Sequence, residues 1–226
     1  MREVLRSEKK FLLTKTEAIQ LSHKFEQVLR LDPHSGSNGY LVRSLYFDTM
    51  HDSDLWEKYA GTEVRRKIRL RTYSADAKIA YLEMKQKQGA NQKKRSLELT
   101  REDAIKLINL DYSVLLKYDT DFARELYVFM TSRFYRPKVV IDYKRKAFIG
   151  KENSTRITFD SEISANQTNY NIFDPKLVMI PVFDKDRTVL EVKFNGFLLS
   201  YIKDTIGVTN KSELSVSKYV MARANY

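Results

Sequence analysis

The stretch Arg65-Arg-Lys-Ile-Arg-Leu-Arg-Thr-Tyr73 alternates cationic and apolar side chains in the manner of a β-strand. Successive side chains of a strand point to opposite faces, so Lys67, Arg69 and Arg71 share one face while Ile68 and Leu70 lie behind it. Like charges at this spacing repel one another unless an anion lies between them. The stretch therefore predicts a strand with an anion-binding face. An ordinary solvated polar face is the alternative for any one strand taken alone.

The same alternation recurs in other predicted strands. The residues that share a face are Arg6, Glu8 and Lys10; Glu83, Lys85 and Lys87; Tyr143 and Arg145; Arg156 and Asp160; and Glu191 and Lys193. Helices with apolar faces must pack on the apolar sides of these strands, which leaves the charged sides facing inward. Such an interior is stable only if it is wet and filled by a polyanion. The pattern predicts an antiparallel barrel or strongly curved sheet with helices outside.

Local signals divide the chain into short elements without a linker or repeat, so we expect one domain over residues 1–226. Strands are predicted at residues 4–13, 40–48, 64–73, 79–87, 93–99, 138–149, 156–163 and 188–194. Thr14 with Glu17, and Thr100 with Asp103, have the spacing of helix caps. Short helices are expected at residues 52–59, 197–206 and 213–224, with Trp56 in the core and Pro137 as a helix breaker.

Composition points to an anionic partner. Forty Lys and Arg against 29 Asp and Glu give a formal charge of +11, which suits nucleic acid, a phosphate-rich small molecule or an acidic membrane surface. A basic-leaning proteome is the alternative explanation. The chain has no cysteine, which rules out thiol catalysis and fits a reducing, cytoplasmic location. No apolar run is long enough to span a bilayer, and the charged start is not a secretory signal.

Three glutamates interrupt the cationic faces. Glu8, Glu83 and Glu191 each lie two residues from a lysine on the same predicted face. Carboxylates in this position can hold a divalent metal against bound phosphates, because the metal bridges phosphate oxygens. Simple Glu–Lys pairing is the alternative. There is no phosphate-binding Gly-rich loop, and the three histidines are scattered without metal-ligand spacing.

These motifs also carry a family resemblance that runs through nearly the whole chain. They are Arg6-Ser-Glu-Lys-Lys10, Ser44-Leu-Tyr-Phe-Asp48, Lys67-Ile-Arg-Leu-Arg-Thr-Tyr73, Leu82-Glu-Met-Lys85, Lys93-Lys-Arg95, Arg136-Pro137, Tyr143-Lys-Arg145, Arg156-Ile-Thr-Phe-Asp160, Leu190-Glu-Val-Lys193 and Ser217-Lys-Tyr219. Together they resemble the polyphosphate polymerase domain of the vacuolar transporter chaperone family, a branch of the triphosphate tunnel metalloenzymes related to the CYTH group. Each motif alone is common, and their order and number make the match specific.

The resemblance implies an α+β fold in which an eight-stranded antiparallel β-barrel forms a tunnel, with helices packed on the outside. It implies phosphate binding by Arg6, Lys10, Lys58, Lys67, Arg69, Arg71, Lys85, Lys87, Lys93, Arg95, Arg145, Arg156, Lys193 and Lys218. Of these, Arg69, Arg71, Lys85 and Lys218 are expected to act in catalysis together with Glu191. Glu191 is expected to hold Mn²⁺ or Mg²⁺ with help from Glu8 and Glu83, while Tyr46 and Tyr143 orient arginines or phosphates.

One departure from the related hydrolases and cyclases favours the polymerase branch. Those relatives begin with Glu-x-Glu-x-Lys, whereas this chain has Arg6-x-Glu8-x-Lys10, which removes a possible metal ligand and adds a phosphate ligand. We expect this chain to be the tunnel domain alone, without the membrane-anchoring and inositol-phosphate-sensing segments of eukaryotic relatives, so that a membrane role would require a membrane-protein partner.

Three functions are consistent with these residues. The first is metal-dependent transfer of the terminal phosphoryl group of ATP, or of another nucleoside triphosphate, onto inorganic polyphosphate. The second is hydrolysis of tripolyphosphate or nucleoside triphosphate in the same tunnel. The third is a non-catalytic module that binds polyphosphate or single-stranded nucleic acid. Nucleic acid is disfavoured because the predicted basic faces contain few aromatic residues.

Overall fold

The computed structural model describes residues 6–89, 91–184, 186–207, 213 and 217–224, with Arg6 described by its backbone alone. Ten strands in the described ranges, several of them consecutive, are combined with helices, which confirms the α+β class. The strands are β1 (Arg6–Thr14), β2 (Arg30–Leu31), β3 (Tyr40–Asp48), β4 (Val64–Thr72), β5 (Ile79–Gln88), β6 (Asn91–Thr100), β7 (Arg136–Ile149), β8 (Arg156–Asn166), β9 (Ile180–Pro181) and β10 (Arg187–Asn195). The helices are α1 (Lys15–Val28), α2 (Ser53–Tyr59), α3 (Arg101–Ile108), α4 (Asp121–Ser132), α5 (Ser200–Ile206) and α6 (Lys218–Ala224), with a 3₁₀ helix at Tyr112–Lys117. None of the helices in the described ranges is both long and apolar enough to cross a membrane.

All strands belong to one antiparallel sheet in the order β1-β10-β8-β7-β3-β4-β5-β6. The two-residue strands β2 and β9 pair with β7 and β8 beside this path. The eight long strands are the eight predicted from sequence, and β2 and β9 were not predicted. The path has two ends, so the hydrogen bonds of the described residues do not close it into a ring.

Local capping explains where the helices begin. At the start of α1, the Glu17 amide donates to the Thr14 hydroxyl at 3.3 Å, and the Thr14 amide donates to the Glu17 carboxylate at 2.8 Å. These two bonds complete the predicted capping box and satisfy amides that have no partner within the helix. Thr100 caps α3 in the same way by accepting from the Asp103 amide at 3.2 Å. Both predicted caps are confirmed.

The chain divides into two compact units, each built from separate segments. The first unit contains Met1–Leu41, Tyr143–Ser164 and Pro181–Ser217, and the second contains Val42–Asp142, Ala165–Ile180 and Lys218–Tyr226. Each unit has its own apolar core. In the first unit Phe25 of α1 packs against the rings of Phe148 and Phe159, with centroids 6.2 and 6.3 Å away. In the second unit, apolar side chains of β4, β5 and β6 pack against α3 and α4.

Three details of the sequence prediction are wrong. Trp56 is 64% exposed rather than buried, because the seven-residue helix α2 buries only Asp54 and Leu55. Pro137 does not separate a helix from a strand, since α4 ends at Ser132 and Pro137 lies within β7. The last two helices are shorter than predicted. Residues 4 and 5, which were predicted to begin the first strand, lie outside the described residues.

Candidate functional site

The strand register of the second unit gathers cations on one side of β4, β5 and β6. Lys67 pairs with Lys85, and Lys85 pairs with Lys94, so three lysines lie side by side across three strands. Neighbouring strands are about 4.8 Å apart. Like charges directly opposite one another destabilise a sheet. We call this group, Lys67, Lys85 and Lys94, the lysine row. It is an arrangement that a bound anion would stabilise.

Glu83 lies beside the lysine row and is enclosed by three cations. Its Oε2 accepts from Arg69 Nε at 2.7 Å and lies 3.7 Å from Arg71 Nη1, while its Oε1 contacts Lys94 Nζ. Burial alone would raise the pKa of Glu83, which is 4% exposed, but the charges of Arg69 and Arg71 lower it to about 2. Glu83 is therefore ionised at neutral pH and anchors the two arginines.

Hydroxyl groups of β3 orient the same arginines from the other side. Arg69 donates to the Tyr46 hydroxyl at 3.1 Å, and Arg71 donates to Ser44 Oγ at 3.3 Å. Burial alone would raise the pKa of Tyr46, but Arg69, Arg71 and Lys218 lower it. This electrostatic influence shows that Lys218, the first residue of α6, lies near the group. The expectation that Tyr46 orients an arginine agrees with this geometry.

Buried contacts hold α6, and with it Lys218, against β3. The Tyr219 ring stacks on Tyr46 with centroids 5.2 Å apart, and its hydroxyl donates to Asp48 at 2.6 Å. Asp48 also accepts from the amides of Asp54 and Leu55 at 2.9 and 3.0 Å, which fixes the start of α2. One buried carboxylate thus anchors two short helices of the second unit. No sequence motif marked Asp48 for this role.

In the first unit, charges of both signs alternate across β1, β10 and β8. Lys10 is paired in register with Glu191, and Glu8 is paired with Lys193, which itself pairs with Arg156. Side chains also pair along each strand: Lys10 Nζ lies 2.6 Å from Glu8, and Lys193 contacts Glu191. Burial lowers the pKa of Lys193, and the nearby Glu191 and Glu8 oppose this effect. Each of the two glutamates in this cluster thus contacts a lysine of its own strand.

Two arginines of the first unit are held by aspartates that lie outside their own strands. Arg145 donates to both carboxylate oxygens of Asp160, at 2.6 and 2.7 Å. Burial would lower the pKa of Arg145, but Asp160 more than compensates, so the guanidinium stays charged. Its Cζ lies 5.1 Å from the centre of the Tyr143 ring. Arg156 donates to Asp32 at 2.8 Å. Both cations are held in fixed positions before any ligand arrives.

The oxygen atoms around Glu191 are compatible with a hard divalent cation. Glu8 and Glu191 lie on adjacent strands, and the Thr158 hydroxyl, opposite Glu191 in register, is buried without a hydrogen-bond partner in the described chain. Among the described residues no three acidic or histidine side chains form a metal-binding group. Mg²⁺ needs no such group, because it is commonly bound by one or two carboxylates and the phosphates of the substrate. Glu83 fits this role poorly, since its oxygens already contact three cations.

Within each unit separately, neighbouring strands bring together most of the predicted residues of that unit, but not all of them. Lys93 and Arg95 lie on the other side of β6, where Arg95 is paired in register with Met84 and donates to Glu125 at 2.6 Å. Lys94, which was not predicted, takes their place on the cationic side. The place of Lys94 depends on which residue of β6 pairs with Lys85. The alternation of side chains within one strand does not reveal this register between two strands. Lys58 lies on α2 rather than on a strand, and Lys87 is paired in register with Gln92 rather than with another cation. The side chain of Arg6 is not among the described parts of the chain.

Comparisons with known proteins are consistent with this geometry. Residues 5–226 match the family model of the VTC domain. A solved structure of HpAC1 from Hippeastrum, described as a putative adenylyl cyclase with a dominant triphosphatase activity, aligns with a TM-score of 0.59 at 13% identity, covering 99% of this chain and 96% of that one. Two putative adenylate cyclases also align. The one from Vibrio parahaemolyticus has a TM-score of 0.55 at 11% identity, covering 98% of this chain and 99% of that one. The one from Bacillus halodurans has a TM-score of 0.53 at 14% identity, covering 94% and 95%.

At these identities the solved structures establish a shared fold, and a search of curated proteins finds no match. The family match spans nearly the whole chain, and it agrees with the resemblance seen in the sequence motifs. The chain belongs to the VTC domain family.

Proposed function

We propose that this protein synthesises inorganic polyphosphate by transferring the terminal phosphoryl group of ATP, or of another nucleoside triphosphate, onto a growing chain. In this reaction the bond between the γ-phosphorus and the β–γ bridging oxygen breaks, and a terminal oxygen of the chain forms the new bond to phosphorus. The nucleoside diphosphate leaves with the bridging oxygen. The chain-end oxygen is already ionised, so the reaction requires no strong general base.

The observation that carries the proposal is the lysine row beside Arg69 and Arg71. Arg69, Arg71 and Lys94 converge on one buried carboxylate, Glu83, and the strand register places Lys67 and Lys85 in the same row as Lys94. A triphosphate or polyphosphate supplies several closely spaced negative charges that match this row of closely spaced cations. Membership of the VTC domain family supports the same ligand class.

The residues divide into phosphate ligands and a metal-binding group. Arg69, Arg71, Lys85 and Lys218 would hold phosphate oxygens and stabilise the charge that develops during transfer. Positioning and charge neutralisation supply most of the catalysis in phosphoryl transfer, so these side chains are sufficient equipment. In the first unit, Glu191 with Glu8 would hold Mn²⁺ or Mg²⁺. The metal would supply charge neutralisation at phosphate oxygens.

Lys10, Arg145, Arg156 and Lys193 belong to the proposal as further phosphate ligands. Arg145 and Arg156 are preorganised by Asp160 and Asp32, so little conformational entropy is lost when they bind a phosphate. Lys10 and Lys193 contact Glu8 and Glu191. Both lysines would turn toward phosphate oxygens if Glu8 and Glu191 held the divalent cation instead. We also propose that residues 1–226 act as one domain and that the protein is located in the cytoplasm.

Hydrolysis of tripolyphosphate or nucleoside triphosphate is the second candidate. HpAC1, which shares the fold, is described as having a dominant triphosphatase activity. The same phosphate ligands serve both reactions, because hydrolysis differs only in using water as the acceptor. Binding without catalysis is the third candidate.

Product analysis separates the three. The protein is incubated with γ-labelled ATP and Mn²⁺ or Mg²⁺, and the labelled products are sized on a polyacrylamide gel. A ladder of long chains is the expected result. Labelled orthophosphate alone would establish the hydrolase instead, and unchanged ATP under conditions where tripolyphosphate still binds would establish a binding module. The variant Glu191→Ala serves as the control for contaminating activity.

A further inference from the structure

A second group of cations lies on the opposite side of the strands that carry the lysine row. Arg66 of β4 pairs in register with Gln86 of β5, which pairs with Lys93 of β6. Arg95 lies two residues further along β6 on the same side as Lys93 and donates to Gln86 at 3.0 Å. Arg133, which follows α4, completes the group. We call these four residues, Arg66, Lys93, Arg95 and Arg133, the outer strip.

A single aromatic ring holds two arginines of the outer strip. The guanidinium carbon of Arg66 lies 4.3 Å from the centre of the Phe129 ring, and that of Arg133 lies 4.8 Å from it. Cation–π contacts of this kind fix the guanidinium planes while leaving their N–H groups available to an anion. Arg133 is also the C-cap residue of α4, where its amide donates to Phe129 O at 3.3 Å.

The outer strip carries an excess of positive charge. Within the described ranges, Glu125 is the one carboxylate that forms an ion pair with it, by contacting Arg95. Lys93 and Arg133 are exposed, and Arg66 is half-buried. Four cations are therefore balanced by one anion on a surface that is open to solvent. Arginine forks in this setting suit phosphate, which they can bind through two parallel hydrogen bonds.

We propose that the outer strip binds a stretch of a long inorganic polyphosphate chain, in addition to the phosphates held at the lysine row. This inference rests on the proposed function for the identity of the polyanion. Polyphosphate is favoured over single-stranded nucleic acid because two guanidiniums already lie over the Phe129 ring, where they compete with a base for stacking. Binding of this kind depends on charge and on chain length.

The test compares two ligands of different length. Long-chain polyphosphate and tripolyphosphate are titrated separately, without metal, into the wild-type protein and into a variant that combines Arg66→Gln with Arg133→Gln. We expect the variant to bind the long chain about tenfold more weakly, because two charge contacts to the chain are lost. Its affinity for tripolyphosphate stays within about twofold of wild type, and the salt dependence of long-chain binding becomes shallower.

The control is Arg124→Gln, which removes one positive charge from α4, the helix that Arg133 follows. Arg124 pairs with Asp119 and Asp121 at 3.0 and 2.9 Å and lies outside the outer strip. The control is expected to bind both ligands as wild type does. Because Arg66 is half-buried, a second variant, Arg133→Glu alone, which changes an exposed side chain, guards against a folding defect. We expect it also to weaken long-chain binding selectively, with an unfolding temperature close to that of wild type.

Several results would overturn the inference. One is that Arg133→Glu weakens the binding of both ligands equally, and another is that the combined variant binds the long chain as tightly as wild type. A third is that Arg124→Gln loses as much long-chain affinity as the combined variant. The last is that single-stranded RNA displaces the long chain at equal charge concentration. If the wild-type protein binds tripolyphosphate but gains nothing from greater chain length, the outer strip inference fails and the proposed function stands. If the wild-type protein binds neither ligand, the proposed function fails first.

Discussion

Replacing Glu83 with glutamine should destabilise the protein and make it depend on an anion. The amide keeps the shape of the side chain but removes the charge that balances Arg69, Arg71 and Lys94. Glu83 is 4% exposed, so water cannot replace the lost charge. Breaking a buried ion pair by removing one partner leaves the remaining charges uncompensated. A bound polyphosphate would restore the balance.

The lowered pKa of Glu83 gives the size of the expected loss in stability. A fall from the ordinary value of 4.5 to about 2 corresponds to about 3 kcal/mol of stability at neutral pH. For a protein of this size such a loss lowers the unfolding temperature by about 6–12 °C. Because the pKa is depressed in the folded state, this stability is fully present above pH 4.5. It is lost as the pH falls toward about 2.

The assay is thermal and denaturant-induced unfolding of wild type and Glu83→Gln, each with and without tripolyphosphate. We expect the variant to be less stable alone and to gain more from the ligand than wild type gains. The difference between the two proteins should shrink as the pH falls from 4.5 to about 2. A destabilisation below about 1 kcal/mol, or an equal gain from tripolyphosphate in both proteins, would refute the electrostatic argument.

Three further predictions concern single side chains. Arg69→Ala should weaken the binding of tripolyphosphate at least about tenfold, as measured by calorimetry. The reason is the loss of a charge-assisted contact to phosphate from a guanidinium that Glu83 and Tyr46 hold in place. Unchanged affinity would count against the site. Glu191→Ala should abolish turnover of ATP with Mn²⁺ while tripolyphosphate still binds, and retained turnover would exclude the proposed metal ligand. Asp160→Asn should lower the free energy of unfolding by about 3 kcal/mol because Arg145 is left buried with a neutral partner, and near-normal stability in urea would contradict this.

Strand alternation and helix capping made much of the fold predictable. The even positions Ile68 and Leu70 of β4 are buried, as their parity requires, and Lys67 and Arg69 lie on the other side. Thr14 and Thr100 cap their helices at the predicted positions. These signals are local, because each depends on residues only two to four positions apart.

Features that depend on pairing between distant segments were not predictable. Lys94 belongs to the lysine row only because β6 pairs with β5 in one register, and a shift of one residue would have placed Lys93 there instead. The partner of Arg145 is Asp160, and Tyr219 donates to Asp48 from 171 positions away. Nothing in the local sequence distinguishes these aspartates from solvent-exposed ones.

The most direct test of the central claim is a crystal structure of the protein with tripolyphosphate and Mn²⁺. The account predicts phosphate oxygens within hydrogen-bond distance of Arg69, Arg71 and Lys85, and an anomalous manganese peak at Glu191. Phosphate density that avoids these cations, together with manganese bound elsewhere, would contradict it.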